Sequence, residues 1–307
     1  MESKPIIQRL LWFERLAEQH IVTQHIDDPA CAPQNIIWDV LRTDLIHPVC
    51  SGNKFFKLKY YLLDALQKND TRILTYGGPW SNHIVATAYA ANYCGLASTG
   101  FIRGENPAEW SDTLLQAREE GMQLEFLGRT EFPAFTQEQT GPAGSYTIPQ
   151  GGYGPLGVKG AAEILNYCQK EHYTHFCCAT GTGTMLAGLI RASGPDRECL
   201  GIAAVKDDSL KHHIEMLNQG YAGSRFTLNN NYHFGGFARK NNELISFMNK
   251  FYDAHGIPTD FVYTGKLMYA VRDFIRSGYF PAGSRILAIH SGGLQGNKSL
   301  KKGTLLF

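Results

Sequence analysis

The sequence has 307 residues, of which 43% are hydrophobic and 19% are charged, and its formal net charge at pH 7 is +1. This length can bury one large or two ordinary hydrophobic cores, and we expect two domains. A net charge so close to zero provides no field that would attract nucleic acid or an anionic membrane surface, so we expect partners that are small molecules or a second copy of the chain.

Local composition also argues against membrane, secreted and metal-binding proteins. No run approaches the roughly 18 apolar residues of a membrane span. Glu14, Arg15 and Glu18 stand where a signal peptide would be apolar, so we expect a cytoplasmic protein. The seven cysteines contain no C-x-x-C pair and no Cys/His spacing suited to zinc, so we interpret them as reduced core residues and expect no metal.

The first predicted elements lead to one lysine. Apolar residues at helical spacing predict a helix over 6–18, and alternation predicts a strand over 35–42. Lys54 then follows a Gly-Asn turn and directly precedes a predicted helix over 55–66. The positive end of the helix macrodipole disfavours an ammonium and lowers the lysine pKa, toward the range where a free amine attacks a carbonyl. Taken alone, a surface lysine in a first helical turn is the commoner explanation.

A second helix start carries a polar motif. A predicted strand over 72–76 ends in the run Gly-Gly-Pro-Trp-Ser-Asn-His, which opens a small-residue helix over 84–93. Such a helix start presents unpaired backbone N–H groups and so favours an anion. Ser81 and Asn82 stand at its N-cap, where helix capping explains them about as well as function does. The next predicted elements are a strand, a helix and a strand, over 97–102, 111–120 and 122–127.

Glycine-rich segments dominate the middle of the sequence. We interpret 128–145, rich in Pro, Gly, Gln and Thr, as a loop at a hinge or domain crossing. The segment 146–157 contains too much glycine for a regular element, which suggests close approach of the backbone to a ligand. A helix over 159–169 follows.

A further strand, loop and helix predicts a phosphate site. The strand covers 175–179, the loop Thr-Gly-Thr-Gly-Thr covers 180–184, and the helix covers 185–192. The loop offers glycine backbone and three hydroxyls at a helix N-terminus. It lacks the G-x-x-x-x-G-K-[ST] pattern of nucleoside triphosphate sites and is too short for the dinucleotide motif G-x-G-x-x-G, so it suits a monophosphate.

The last strands again end in glycine turns. Apolar runs predict strands over 261–265 and 285–293, and ligands of open α/β sheets bind at such carboxyl ends. Between the phosphate loop and these strands we predict a strand, a helix, a loop and a helix, over 200–205, 209–217, 232–238 and 242–255.

A lysine suited to imine formation, a monophosphate cradle and a second anion-binding helix start are together what pyridoxal 5′-phosphate needs. The amino-acid sequences of these motifs resemble those of the 1-aminocyclopropane-1-carboxylate deaminase and D-cysteine desulfhydrase family of fold-type II enzymes, which is related more distantly to tryptophan synthase β. The resemblance rests on six motifs in the same order: G-N-K-x-x-K-L at 52–58, G-G-x-x-S-N-H at 77–83, Ile-Pro-x-Gly-Gly-x-x-Pro-Leu-Gly at 148–157, Thr-Gly-Thr-Gly-Thr at 180–184, Tyr-Thr-Gly-Lys at 263–266 and His-Ser-Gly-Gly at 290–293.

The resemblance implies an α/β fold with two open twisted sheets and a cofactor cleft between two domains. Residues 1–59 and 147–307 would form the large cofactor-binding domain, and 60–146 a small inserted domain. It also implies a homodimer. The helix around Leu10, Leu11, Trp12 and Phe13 offers an apolar surface for a second copy, although the same residues could cap the core.

The resemblance also assigns site residues. Lys54 would be the Schiff-base lysine and the proton carrier at the substrate Cα, Ser81 would face the substrate carboxylate and take part in proton transfer, and Tyr263 would lie over the cofactor ring. The other implied cofactor contacts are Lys57, Asn82, Thr180, Gly181, Thr182, Gly183, Thr184, Thr264 and Ser291. The implied substrate contacts are Ser81, Asn82, His83 and Phe237.

The sequence departs from the family at several positions. The family usually has arginine where Phe56 stands and tyrosine where Phe237 stands, and a phenyl ring cannot exchange a proton. Cyclopropane deaminases have glutamate and leucine at the positions of Thr264 and Ser291. Hydroxyls beside the pyridine nitrogen leave a weaker electron sink than a carboxylate, and simple β-elimination tolerates this better.

We therefore expect a lyase or deaminase that acts on a small amino acid. The preferred hypothesis is a D-cysteine desulfhydrase-like α,β-elimination that gives pyruvate, ammonia and sulfide. The alternatives are a 1-aminocyclopropane-1-carboxylate deaminase, which gives 2-oxobutanoate and ammonia, and a pyridoxal phosphate-binding protein without turnover.

Overall fold

The computed structural model describes residues 6–138, 141–219, 221 and 225–307. Its strands are β1 Thr23–His25, β2 Ile37–Leu41, β3 Arg72–Gly77, β4 Ala97–Arg103, β5 Met122–Leu127, β6 Ser145–Ile148, β7 His175–Thr180, β8 Glu198–Ala203, β9 Arg225–Asn229 and β10 Arg285–Ile289. Its α-helices are α1 Ile6–His20, α2 Gly52–Gln67, α3 Asn82–Tyr93, α4 Asp112–Glu119, α5 Phe132–Glu138, α6 Pro155–Ala162, α7 Thr184–Ser193, α8 Leu210–Leu217, α9 Asn242–His255 and α10 Thr264–Arg276.

The strands form two sheets. The larger sheet has six strands in the order β1-β2-β10-β7-β8-β9, all parallel except β1, which runs antiparallel to β2. The smaller sheet has four parallel strands in the order β5-β4-β3-β6. Two α/β sheets were predicted from the sequence, and the structure confirms them. The predicted domain limits at 59/60 and 146/147 stay a prediction.

The central strand β7 shows why the larger sheet is stable. All six of its residues are buried, as expected for a parallel sheet covered by helices on both faces. Cys177 and Cys178 lie in this strand and pack into opposite core clusters. Six of the seven cysteines are buried, as predicted for core residues, and Cys168 is only half-buried.

The apolar side chains of helix α1 that the structure describes pack against other elements of the same chain. Phe13 is 2% exposed and packs on Phe55 with ring centroids 4.8 Å apart, while Trp12 stacks on Tyr93 at 4.2 Å. These two residues therefore cap the core. The side chains of Leu10 and Leu11 lie outside the described part of the structure, and the homodimer stays a prediction.

The predicted strand over 261–265 is wrong. Residues 261–263 form a turn, and Thr264 begins helix α10. The buried Asp260 carboxylate accepts N–H groups from Val262, Tyr263 and Thr264, at 2.8 to 2.9 Å. A carboxylate that satisfies three free donors caps a helix start, so the apolar run continues into a helix.

Two glycine-rich segments contain more regular structure than predicted. The predicted loop over 128–145 includes α5. Strand β6 covers the start of 146–157, a segment for which no regular element was predicted. Helix α6 begins at Pro155, four residues before the predicted start, because proline is well tolerated in the first helical turn. Within the described residues, no helix combines the length and apolarity that a bilayer crossing requires.

Candidate active site

A cleft of about 320 Å³ lies where the carboxyl ends of strands from both sheets meet. The segments after β3, β6, β7 and β10 line it, together with the first turn of α2. This volume is within the range of small-molecule sites. Of the predicted site residues, the cleft brings together Lys54, Lys57, Ser81, Asn82, His83, Gly181, Thr182, Phe237, Tyr263 and Ser291.

The start of α2 directs Lys54 into the cleft. Gly52 has φ +59°, and a Cβ atom there would lie 1.8 Å from the Ser291 carbonyl oxygen, so only glycine allows this approach. The Asn53 N–H donates to the same oxygen at 3.1 Å. The loop that follows β10 therefore packs against the first turn of α2 and fixes the position of Lys54.

The amine of Lys54 is buried and has a lowered pKa. Its Nζ donates to the Asn53 side-chain oxygen at 2.8 Å. Burial lowers the pKa of Lys54 to about 8, and the negative charge of Asp260 opposes that effect. The direction is the one predicted from the helix start, but burial is the main cause.

The part of the cleft lined by Lys57, Gly151 and the loop at 181–182 combines glycine backbone with a second lysine. Lys57 is buried, its Nζ donates to the Gly151 carbonyl at 3.4 Å, and burial together with the Lys54 charge lowers its pKa well below the usual value. Gly181 and Thr182 line the same cleft. No side chain among the described residues caps the N-terminus of α7, so backbone N–H groups there are available to an anion.

The remaining residues of the phosphate loop lie behind the cleft. Gly183 has φ +80°, and a Cβ atom there would lie 2.6 Å from Ile214. Thr184 is buried, and its hydroxyl is 3.0 Å from the Thr182 hydroxyl. Thr180 is also buried and lies outside the lining. These three residues therefore shape the loop from outside the cleft.

The start of α3 also lines the cleft. Ser81 caps this helix by accepting the Ile84 N–H at 3.4 Å, which leaves its hydroxyl proton free to donate. Asn82 Nδ2 donates to the Gly293 carbonyl at 2.9 Å. Asn82 Oδ1 is buried without a hydrogen-bond partner in the described part of the chain. Helix capping and a ligand-binding role are thus compatible at Ser81.

His83 has one defined tautomer. Thr75 donates its hydroxyl proton to the Ile148 carbonyl at 2.9 Å, so the contact of 2.7 Å between Thr75 and His83 Nε2 requires the proton on Nε2. Burial, with the nearby Lys54 and Lys57 charges, lowers the pKa of His83 well below its usual value. His83 is therefore neutral at pH 7.

Two aromatic rings form another wall. Tyr263 and Phe237 meet edge to face with centroids 6.2 Å apart. Gly181 lets the tyrosine approach, since a Cβ atom there would lie 3.1 Å from the ring. Burial raises the pKa of the Tyr263 hydroxyl, so it keeps its proton and acts as a donor. Phe237 is 61% exposed at the rim of the cleft.

The structure does not support Thr264 as a direct cofactor contact. Its side chain is fully buried and outside the cleft lining, and its hydroxyl donates to Asp260 at 2.8 Å. Thr264 points away from the cleft because, at the start of α10, its hydroxyl and its backbone N–H both donate to the Asp260 carboxylate. Ser291, by contrast, lines the cleft.

The sequence analysis missed several residues of the site. Asp260 organises the Tyr263 turn, and its position four residues before a threonine at a helix start is a capping signal that could have indicated it. Trp80 and Arg103 line the cleft on the side of the smaller sheet. Parallel pairing of β3 and β4 places Arg103 next to the loop that follows Gly77, which no sequence pattern indicates.

Comparison with known proteins agrees with this geometry. The model of the pyridoxal-phosphate dependent enzyme family matches residues 40–292. The chain belongs to this family. The resemblance inferred from the six motifs is thus confirmed, and pyridoxal phosphate is the cofactor of this enzyme.

Several relatives carry more specific names. A putative 1-aminocyclopropane-1-carboxylate deaminase of Thermotoga maritima is 30% identical over 84% of this chain and 88% of its own. One of Pyrococcus horikoshii is 28% identical over 84% of both chains. A mitochondrial bifunctional D-cysteine desulfhydrase/1-aminocyclopropane-1-carboxylate deaminase of Arabidopsis thaliana is 29% identical over 85% of this chain and 73% of its own.

Solved structures show the same fold. The crystal structure of an ACC deaminase homologue is 26% identical, with a TM-score of 0.74 over 96% of both chains. An O-ureido-L-serine synthase at 13% identity has a TM-score of 0.69 and covers 93% of both chains, a likeness that shows the fold alone. The relatives of this pyridoxal phosphate enzyme are thus named as deaminases or desulfhydrases, and their named substrates differ.

The residues of the cleft fit the cofactor. Two lysines share the cleft, and no carboxylate among the described residues lines it, so an anionic group would relieve their repulsion. Glycine leaves room beside them: a Cβ atom on Gly151 would lie 3.1 Å from Thr182. Lys57 and the loop at 181–182 would hold the phosphate, and Lys54 would supply the amine for the aldehyde.

The pKa of Lys54 predicts how cofactor uptake depends on pH. Only the unprotonated amine attacks the aldehyde, so the rate at which apoprotein takes up pyridoxal phosphate should rise through about pH 8, where half of the amine is unprotonated, and level off about one pH unit higher. A lysine at its ordinary pKa of 10.5 would continue to gain reactivity far above that pH. Stopped-flow absorbance measures the rate, and pyridoxal, which has no phosphate to titrate, is the control. A rate that still climbs steeply at pH 9 to 10 would contradict the lowered pKa.

Proposed function

We propose that this enzyme catalyses α,β-elimination from D-cysteine or a closely related β-substituted amino acid. With water, D-cysteine would give pyruvate, ammonia and hydrogen sulfide. The observation that supports this choice is the wall of the cleft, where the described residues include hydroxyls and amides but no carboxylate. The buried Asp260 already accepts three N–H groups and one hydroxyl from its own turn.

This wall matters because of what the cofactor contributes. Bound pyridoxal phosphate supplies the electron sink for a carbanion at the substrate Cα, and hydroxyl donors such as Ser291 leave this sink weaker than a carboxylate would. A β-substituent that departs as a thiolate relieves the carbanion directly. The cyclopropane has no such leaving group and needs a stronger sink or a nucleophile.

The side chains divide the proton transfers between them. Lys54, with its pKa lowered to about 8, would remove the proton from the substrate Cα. Ser81 and the positive end of the α3 macrodipole would orient the substrate carboxylate. Tyr263 keeps its proton at neutral pH and can donate it to a departing group. Phe237 has no proton to exchange.

Substrate turnover tests the proposal. We expect pyruvate from D-cysteine with a kcat/KM at least about tenfold above that for 2-oxobutanoate from 1-aminocyclopropane-1-carboxylate, a difference of about 1.4 kcal/mol in transition-state stabilisation. L-Cysteine controls for stereochemistry, and the Lys54→Ala variant controls for reaction with free cofactor. Faster release of 2-oxobutanoate than of pyruvate would refute the proposal.

The alternative is 1-aminocyclopropane-1-carboxylate deamination, which the names of the Thermotoga and Pyrococcus relatives favour. In that case Ser81, whose hydroxyl lies in the cleft, would be the candidate for attack on the ring. Absence of both products from a protein that retains cofactor would favour another substrate, or a cofactor-binding protein without turnover.

A further inference from the structure

Lys266, in the first turn of α10, is a buried cation whose three protons are all used. Its side chain is 0% exposed. Nζ donates to the carbonyl oxygens of His233 at 2.8 Å, Gly236 at 2.9 Å and Ala204 at 3.2 Å. An ammonium can be buried at acceptable free energy only when each N–H has an acceptor, and here the number of acceptors equals the number of donors.

The acceptors belong to two separate segments. Ala204 directly follows β8, whereas His233 and Gly236 lie in the loop 232–239, which we call the phenylalanine loop. Lys266 therefore connects the carboxyl edge of the larger sheet to this loop. The connection is made entirely to backbone oxygens, so it fixes the path of the loop whatever side chains the loop carries.

The phenylalanine loop is conformationally strained. Phe234 and Ala238 both have φ +53°, a left-handed backbone conformation that is strained for residues with a Cβ atom. Phe234 packs on Tyr269, but beyond it the side chains of Phe237, Ala238 and Arg239 are exposed. The contact of Lys266 with Gly236 is thus the buried attachment next to Phe237.

The same helix start positions the second ring of the wall. Tyr263 lies three residues before Lys266, in the turn that Asp260 holds. Tyr263 and Phe237 touch each other and line the cleft. The start of α10 therefore determines the position of both rings, one through the Asp260 turn and one through the Lys266 ammonium.

We propose that Lys266 is a positioning residue that holds the phenylalanine loop so that Phe237 closes the rim of the cleft beside Tyr263. Lys266 itself stays outside the cleft lining and acts through Phe237. Its effect on substrate binding rests on the proposed function, whereas its effect on the loop does not.

Hydrogen exchange of the holoenzyme tests the effect on the loop without any substrate. Lys266→Met keeps an unbranched side chain and removes all three donors. Backbone amides in 234–239 should then exchange about tenfold or more faster, while those of β4 in the other sheet keep their rate. Unchanged exchange in the loop would overturn the proposal. If Lys266→Met does not fold, Lys266→Gln, which retains two N–H donors, should give a smaller increase confined to the same loop.

A double-mutant cycle with Phe237→Ala tests the route to the substrate. If Lys266 acts through Phe237, each single variant should raise KM for the amino acid that is turned over by about tenfold with kcat little changed, and the double variant should be no worse than either one. If the increases in KM of the two single variants instead multiply in the double variant, Lys266 does not act through Phe237. If no amino acid is turned over, the proposed function fails while the exchange result still decides the effect on the loop.

Discussion

Lys54→Ala should abolish the absorption band of lysine-linked cofactor and lower turnover by about 1,000-fold or more, because the variant lacks both the amine that attaches the aldehyde and the base at the substrate Cα. The fold should survive the change. Burial already disfavours the charge of Lys54, and its described hydrogen bond is to the neighbouring Asn53 side chain. Circular dichroism and thermal unfolding of the variant check this.

Borohydride reduction followed by peptide mapping identifies the attached lysine. We expect the label on Lys54 and none in the Lys54→Ala variant. Lys57 is the serious competitor, because it lines the same cleft and burial lowers its pKa too. Lys59 lies outside the lining, 2.7 Å from Glu163, so Lys59→Met is a control that should keep the label. A label on Lys57 or Lys59 in the unaltered protein would disprove the assignment.

Gly52→Ala should destabilise the fold by about 3 kcal/mol, the sum of a left-handed backbone strain and an overpacked contact. The new Cβ atom would meet the carbonyl of Ser291 at 1.8 Å, and this backbone cannot yield as a flexible side chain can. Relief requires that α2 separate from the loop after β10, so cofactor affinity should fall together with stability.

Gly256→Ala is the matched control. Gly256 has φ +65°, close to the +59° of Gly52, but a Cβ atom there meets nothing within 4 Å. It should therefore cost only about 1 to 2 kcal/mol for the backbone conformation. Urea unfolding of both variants gives the comparison. Equal losses would show that the contact with Ser291 contributes nothing beyond backbone strain.

The sequence predicted the fold where patterns are strong. Strands β3, β4, β5 and β7 and helices α3 and α9 lie close to their predicted limits, because each is an apolar or periodic run between clear turn signals. Strand β10 begins as predicted but ends at Ile289, before the predicted limit at 293. Strands β1, β6 and β9 were missed. They are short and partly exposed. β1 has no apolar residue, and β6 and β9 alternate over only two apolar residues each, which is too short a pattern to identify a strand.

The site residues were predicted from sequence motifs. Motifs indicate which residues belong to a site, but they do not indicate which hydrogen bonds those residues form. Lys54, Ser81 and Tyr263 were predicted and lie in one cleft. The partner of Thr264 was missed because 261–265 was predicted as a strand, and Asp260 is recognisable as a capping residue only if a helix begins at Thr264. The three acceptors of Lys266 come from distant parts of the chain, and no local pattern encodes such contacts.

The place of β10 in the larger sheet sets the order in which the enzyme matures on the ribosome. Parallel pairing joins Arg285 to Ile37, whereas all four strands of the smaller sheet lie between residues 72 and 148. The smaller sheet can form early in synthesis, but Lys54 lacks the Ser291 wall until the far end of β10 has emerged from the exit tunnel. A nascent chain stalled before residue 285 would therefore carry the lysine without a site in which to retain its coenzyme.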